Sequence, residues 1–371
     1  MTSRARVALN PSAGRTELGE LPLPQIGEGD GLLEVEASGV CGTDWAFYTR
    51  KRGAYLGPII LGHETVGRVV ALGDDAAQRW KVQVGDRVAV EEFLPCGACL
   101  RCRRGLYRLC AATDSRSGGT FRRYGATPVD VAPGLWGGFA THLYLDADAV
   151  VYPVPPNLEP ELATLFVPVS NGIQWVNLEG GGRVGESLVV FGPGQHGLGC
   201  VLAASKAGMG PIVVVGLASD RSRLEMAERL GADATLEIDD AAGEDGLEQR
   251  VHEILPDGAD VVVDVTPGAS APIGQAIAVA SLQGRIILAG GKGGRIPEVE
   301  HDVIVQKELT LRGVRGHDTR SVVPALSLIA QERDLLTSLA TTSMPLDRVD
   351  AALRVVGERT DPAAIHVSVL P

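Results

Sequence analysis

Apolar positions in the first 165 residues come in short runs that alternate with polar ones. GLLEVEASGV (31–40), ETVGRVVALG (64–73), DRVAV (86–90) and GGFATHLYL (137–145) are such runs, with Gly, Pro and Asp between them. Period-two alternation bounded by turn residues predicts strands, here an irregular β-barrel-like domain. The texture then changes. SLVVFGPGQHGLGCVLAASKAG (187–208) reads as strand, glycine turn and helix. PIVVVG (211–216), ADVVVDV (259–265) and GRIILAG (284–290) are short apolar runs, with helical patterns RSRLEMAERLGA (221–232) and APIGQAIAVASL (271–282) between them. Strands alternating with helices predict a parallel sheet. The ending, DPAAIHVSVLP, predicts a strand returning to the first domain.

The expected organisation is α/β. A β-rich domain takes residues 1–165 and 318–371, with a cysteine lobe at 93–112. A doubly wound domain takes 166–317. The 371 residues suffice for two such cores, and 45% hydrophobic with 22% charged residues marks a globular chain. A net charge of −12 argues against nucleic acid or an anionic membrane as a general partner. The first residues lack an apolar core of signal-peptide length, and no apolar run approaches a membrane span, so a cytoplasmic location is expected.

Six cysteines in a cytoplasmic chain point to metal or catalysis before disulfides. Cys96, Cys99, Cys102 and Cys110 are spaced C-x2-C-x2-C-x7-C, dense enough to close a tetrahedron of thiolates around one zinc ion. Arg101 and Arg103 beside them would favour thiolate over thiol. Gly97 and Gly105 suit a tight loop.

Gly192, Gly194 and Gly197 form G-x-G-x-x-G directly after the run SLVVF and before a helix. That context makes the motif a dinucleotide fingerprint: a tight turn, close backbone approach to pyrophosphate, and close helix–strand packing. His196 lies inside it and is either a solvated loop histidine, the simpler reading, or a residue that reaches the cofactor. The next strand ends at Gly216, where an acidic residue would select NAD. Asp220 could still bind the ribose diol, whereas Ser219, Arg221 and Arg223 could hold a 2′-phosphate, so NAD and NADP both stay open. Cys41 and His63 stand 22 positions apart, each beside glycine, and thiolate with imidazole suits zinc.

Taken together, GVCGTD, LGHETVGRVVALG, VGDRVAV, the cysteine lobe, GGFA, the fingerprint and LGAD resemble the zinc-dependent medium-chain alcohol dehydrogenase family over essentially the full length. The resemblance implies a GroES-like catalytic domain, a Rossmann domain, a structural zinc, a catalytic zinc and hydride transfer between an alcohol carbon and a nicotinamide. It makes Cys41 and His63 catalytic zinc ligands, Thr43 the hydroxyl that takes the alcohol proton onward, and Glu64 the glutamate beside the metal. Two positions depart from the family. Val167 stands where a third ligand is usual, and Ala46 stands where a relay histidine often ends the proton path.

Three arrangements are open on the sequence: zinc on Cys41, His63 and Glu64; another residue such as Glu161 or Asn171 completing the set; or no firmly held catalytic zinc. A zinc-independent NADPH reductase of activated double bonds or quinones, and a non-catalytic cofactor-binding protein, are the alternative functions. Trp45, Tyr48, Tyr55, Phe93, Trp136 and Phe166 are either core or the wall of an apolar alcohol or carbonyl site. His317 is either a loop histidine or a residue facing the cofactor. The family implies a homodimer or homotetramer, with LTLRGVRG as a candidate edge strand.

Overall fold

The structure is a computed structural model describing residues 4–52, 57–114, 116, 120–238, 246–294, 299–339 and 342–371. Tyr55 lies outside the described residues. The chain divides into two compact units, residues 1–166 with 326–371, and residues 167–325. The division falls within the helix Thr319–Gln331.

The first unit is built on strands β1 (Arg4–Ser12), β2 (Arg15–Pro22), β3 (Gly31–Gly39), β4 (Ile59–Ile60), β5 (Glu64–Leu72), β6 (Arg87–Val90), β7 (His142–Leu145) and β8 (Val151–Pro153). Of the run GGFATHLYL, only HLYL forms a strand; Ala140 makes a single bridge to Val7. β3 is buried over most of its length and β5 over its first half; Leu33 and Val35 of β3 and Val69 of β5 join Val88 and Leu143 in one apolar cluster, while Leu32 of β3 enters another.

The second unit carries β9 (Leu188–Phe191), β10 (Ile212–Leu217), β11 (Ala234–Ile238), β12 (Ala259–Asp264), β13 (Ala280–Leu288) and β14 (Thr310–Gly313). All neighbours in this sheet are parallel, in the order β11-β10-β9-β12-β13-β14. That is the Rossmann order, whose switch point lies beside β9, where dinucleotides bind at the carboxyl ends of the strands. The near-continuous burial of β9 and β10 follows from helices covering both faces. Helix 271–279 stops earlier than its pattern suggests, because Ala280 and Ser281 already belong to β13.

The chain then returns to the first unit with β15 (Thr342–Pro345) and β16 (Val367–Leu370). β16 pairs antiparallel with β3, as the sequence predicts for the last strand. Among the described residues no helix is long and apolar enough to cross a membrane.

Candidate functional site

Antiparallel pairing builds the site in the first unit. Gly39, ending β3, is registered opposite Glu64, opening β5. Cys41 follows β3 by two positions and His63 precedes β5 by one, so the strand ends deliver both side chains to one place. Cys41 also N-caps the helix Gly42–Tyr48, and Asp44 in its first turn accepts the Cys41 N–H through Oδ2 at 2.9 Å. The other oxygen of Asp44 accepts the Gly62 N–H at 3.1 Å and meets Nδ1 of His63 at 3.0 Å. Burial opposes charge on His63, but Asp44 and then Cys41 outweigh it and raise its pKa to about 10.

Glu64 is fully buried, and neither of its oxygens has a hydrogen-bond partner among the described residues. A Glu64 oxygen and the Cys41 sulfur lie within 4.8 Å of one another. Burial, followed by that sulfur, holds the carboxyl well above the usual carboxylate range. A buried thiol, imidazole and orphaned carboxyl are costly without a cation. Sulfur, nitrogen and oxygen donors of this kind fit zinc. Gly39 leaves room for the arrangement: a Cβ there would stand 2.4 Å from Glu64 Oε2 and 3.0 Å from the His366 ring. His366 is buried, and its Nε2 bonds Thr164 Oγ1 at 2.7 Å. Asp44 and His366 are the residues sequence reasoning missed. Asp44 was visible as the last letter of GVCGTD; His366 carried no signal, since only strand pairing brings it near Glu64.

Thr43 is half-buried in the same helix, with Ala46 one turn on. Val167 is buried in the second unit and offers no donor atom. Of the alternative ligands, Glu161 exerts its charge on Arg87, and Asn171 spends its amide on His196 and His317.

The four lobe cysteines come together with all sulfurs within 4.8 Å of one another, and none forms a disulfide. Cys99 and Cys102 sulfurs are 3.5 Å apart, close to the ~3.8 Å edge of a tetrahedron with ~2.3 Å zinc–sulfur bonds. Backbone N–H groups point at the sulfurs: Cys96 N–H to Cys110 Sγ, Cys99 N–H to Cys96 Sγ and Cys102 N–H to Cys99 Sγ, at 3.4–3.5 Å. Backbone amides of Ala111 and Cys102 bring the Cys99 thiol down to about 6, whereas burial and then Cys99 push the Cys102 thiol up. The Arg101 guanidinium donates to Leu109 O at 3.0 Å. The set fits a structural zinc.

In the second unit the fingerprint glycines follow β9 directly. Gly192 has φ +98°, and a Cβ there would press on Thr266 at 3.0 Å. A Cβ on Gly197 would lie 2.0 Å from Gly192 O, while one on Gly194 would meet nothing within 4 Å. Two glycines therefore serve packing, and the third leaves its backbone open toward a ligand at the helix Gln195–Lys206. Behind this turn Lys292 pairs with Asp264 at 2.7 Å and donates to Thr266, joining the ends of β12 and β13. At the end of β10, a Cβ on Gly216 would meet the Pro193 ring at 2.8 Å. Asp220 is buried, turned back on Leu217 N–H at 3.2 Å and paired with Arg223 at 3.6 Å. Arg221 is exposed and pairs with Glu237 at 3.1 Å.

The aromatic residues divide less favourably for a pocket wall. Trp136, Phe166 and Tyr48 are almost wholly buried, and the Tyr48 hydroxyl donates to Gly14 O at 2.7 Å. Phe93 is buried beneath Arg123. The Trp45 ring lies over Gly357, where a Cβ would come within 1.9 Å of it. These are packing residues of the first unit.

Comparison with known proteins agrees with this chemistry. Residues 27–156 match "Alcohol dehydrogenase GroES-like domain" and residues 197–331 match "Zinc-binding dehydrogenase". A probable alcohol dehydrogenase of Mycobacterium tuberculosis is 41% identical over 355 residues, covering 94% of both chains. An erythritol/L-threitol dehydrogenase of Mycolicibacterium smegmatis is 31% identical, covering 95% of this chain and 94% of the relative. An alcohol dehydrogenase structure from Thermotoga maritima superposes with a TM-score of 0.84 at 24% identity, over 99% of each chain, and shares the fold. With a four-cysteine cluster, a buried Cys41 beside Glu64 and a Rossmann fingerprint in one chain that matches both family domains, this protein belongs to the zinc-dependent medium-chain alcohol dehydrogenases, oxidoreductases that interconvert an alcohol and a carbonyl compound with a nicotinamide dinucleotide.

Proposed function

We propose that Cys41, His63 and Glu64 hold the catalytic zinc, Cys96, Cys99, Cys102 and Cys110 hold a structural zinc, and Gly192, Gly194 and Gly197 seat the pyrophosphate of the dinucleotide. The orphaned, fully buried carboxyl of Glu64 beside Cys41 carries the catalytic assignment. When bound, the zinc polarises the substrate oxygen and the dinucleotide exchanges a hydride with the substrate carbon. Asp44 fixes the His63 ring, and Thr43 offers the hydroxyl through which the alcohol proton leaves. Ala46 offers no side-chain group to carry that proton further.

The substrate is a small alcohol or carbonyl compound. Apolar Ala46, standing where the family often places a histidine, favours one with a largely apolar body. The dinucleotide is read as 2′-phosphorylated. Gly216 supplies no carboxylate, Asp220 is engaged with its own turn, and Ser219 and Arg221 remain exposed beside it. A cytoplasmic location suits six cysteines without a disulfide. A homodimer or homotetramer through β14 suits an edge strand exposed along all four residues. Sedimentation of the wild type against Leu311→Lys tests the last point; an unchanged assembly removes β14 from it.

Metal analysis of the purified protein tests the main reading. Two zinc ions per chain, falling to one in Cys41→Ser with turnover lost, is the expected result. One zinc per chain with full activity on activated double bonds overturns it in favour of a zinc-independent reductase. Dinucleotide binding without turnover across alcohols and carbonyls overturns it in favour of a non-catalytic protein.

A further inference from the structure

Asp264 ends β12 with its side chain fully buried, and Lys292 meets it from the run GGKGG (290–294) that follows β13. The ammonium stands 2.7 Å from Asp264 Oδ2, an ion pair without hydrogen-bond alignment. It donates to Thr266 O at 2.7 Å and to Thr266 Oγ1 at 2.9 Å. Thr266 is held by Asp264 as well: its N–H and its hydroxyl both donate to Oδ1, at 3.0 and 2.5 Å. Every polar group of Thr266 is thus bound inside this cluster. Only its methyl group is left to face elsewhere.

A buried charge pair often adds little net stability, because the cost of desolvation offsets the attraction. What it supplies here is geometry, and its place in the sheet shows which geometry. Phe191 at the end of β9 and Asp264 at the end of β12 are registered opposite each other. The chain runs from β9 outward to β11 on one side and from β12 outward to β14 on the other, so the strand order reverses between these two residues. Ligands of an open parallel sheet bind in the crevice at such a reversal. Gly192 opens one lip of that crevice and Thr266 belongs to the other. The lips are close: a Cβ on Gly192 would stand 3.0 Å from Thr266 Cγ2. Gly290 lets the segment bearing Lys292 close in behind, since a Cβ there would lie 2.2 Å from Thr266 O.

We propose that Lys292 and Asp264 are positioning residues for the dinucleotide: by gripping Thr266 they set its methyl group against Gly192 and fix the width of the crevice that receives the pyrophosphate. The charged groups act through Thr266 and need no contact with the cofactor. A branched side chain suits the task, because its hydroxyl is tied inward while its methyl braces the glycine turn. A turn braced beforehand does not have to be ordered on binding.

This inference rests on the dinucleotide reading of the fingerprint. Calorimetry with NADP and with NAD, beside unfolding in urea, tests it. Thr266→Ser keeps the hydroxyl and removes only the methyl. It should unfold close to wild type yet bind dinucleotide about fivefold more weakly, the scale of ordering one side chain and its turn on binding. Lys292→Met removes the grip and should weaken binding by a similar factor. The double variant should be no weaker than the weaker single variant, because Lys292 acts through Thr266. Without ligand, the Gly192 amide resonance should move in both single variants. The losses should persist at about 0.5 M salt, where long-range charge effects are screened. A Lys292→Met loss that disappears in salt, with Thr266→Ser binding like wild type, would make the lysine a distant attractor of phosphate and overturn the proposal. Additive losses overturn it too, as does a Lys292→Met variant that is less stable but binds normally. Should Lys292→Met fail to fold, Thr266→Ser decides alone, and wild-type affinity there overturns the proposal. Wild type that binds neither dinucleotide overturns both this inference and the reading beneath it, whereas intact wild-type binding with unaffected variants overturns this inference alone.

Discussion

Asp44 holds His63 by its Nδ1 at 3.0 Å with one carboxylate oxygen and the Cys41 backbone with the other. Both candidate ligands therefore depend on one side chain. Asn at this position can accept on one side only, and its NH₂ would face a backbone N–H or the histidine proton on the other. Asp44→Asn should weaken zinc at the catalytic centre by about 10–100-fold, the range seen when the partner of a metal-bound histidine is lost. Competition with a chromophoric chelator measures it. The lobe zinc should be unaffected, and a variant retaining both metals at wild-type affinity would remove Asp44 from the site.

The lobe should behave differently, because a zinc held by its four cysteines would close a loop instead of doing chemistry. Cys99 is the N-cap of the helix Leu100–Arg103 and contributes its sulfur to the cluster. Cys99→Ser should lose one zinc and lower the melting temperature, since structural zinc contributes folding energy directly. Activity per folded molecule should persist at low temperature. Wild-type melting with full metal content would deny the lobe a structural role.

The fingerprint glycines separate packing from binding. Helical Gly→Ala substitutions ordinarily stabilise by up to ~1 kcal/mol. At Gly197 the new methyl would lie 2.0 Å from Gly192 O, so Gly197→Ala should instead destabilise by about 1–3 kcal/mol. Gly194→Ala meets nothing within the protein. It should melt like wild type and bind dinucleotide more weakly, because the methyl occupies the side where the phosphate backbone approaches. Denaturant unfolding and calorimetry together distinguish the two; equal stability losses would refute the division.

Much of this was legible in the sequence because the motifs are local. The cysteine lobe, GVCGTD, GHE and the glycine turn each place their chemistry within a few residues, and β3, β5 and β9 announce themselves by alternation or unbroken apolar runs. What was hidden depends on distance along the chain. β11 escaped because ATLEI is too short and too half-buried to show a period. Tyr48 and Trp136 could have been pocket or core, and only packing decides. The π-helix Ile173–Glu179 leaves no trace in a hydrophobic pattern of period 3.6, and Asn171 and His317 looked like separate residues. His366 comes to Gly39, opposite Glu64 in register, through pairing of the last strand with β3.

Acid should probe one ion pair away from both metal sites. Arg87 Nη2 and Arg68 Nε reach Glu36 at 2.9 and 3.0 Å. Burial alone would raise the Glu36 pKa, but Arg87 and Arg68 overcome it and hold the group below its ordinary value. A carboxylate with a lowered folded-state pKa contributes stability above its unfolded pKa and loses it as pH falls through the folded one. Glu36→Gln should therefore lower stability at pH 7, by no more than about 1 kcal/mol for a partly exposed pair, and flatten the acid side of the stability curve. Unfolding in urea between pH 3 and 7 measures the difference; parallel curves for the two proteins would exclude Glu36 as a contributor.

Cofactor choice turns on which way the groups after β10 face. An NAD-selecting carboxylate must present both oxygens to the ribose diol, yet Asp220 directs Oδ2 at Leu217 N–H and lies 3.6 Å from Arg223 through Oδ1. Rotating it outward would break its turn and its pairing with Arg223. Arg221 is already outside, and a 2′-phosphate would compete with Glu237 for its guanidinium through a pair of charge-assisted hydrogen bonds. Arg221→Ala should thus raise KM for NADP about tenfold while leaving KM for NAD near its wild-type value. Glu237→Gln, which frees the guanidinium, should lower KM for NADP. Asp220→Asn should alter stability more than the NADP-to-NAD ratio. If Asp220→Asn instead abolished NAD-dependent turnover while Arg221→Ala left both cofactors unchanged, the carboxylate would be the selector and NAD the cofactor.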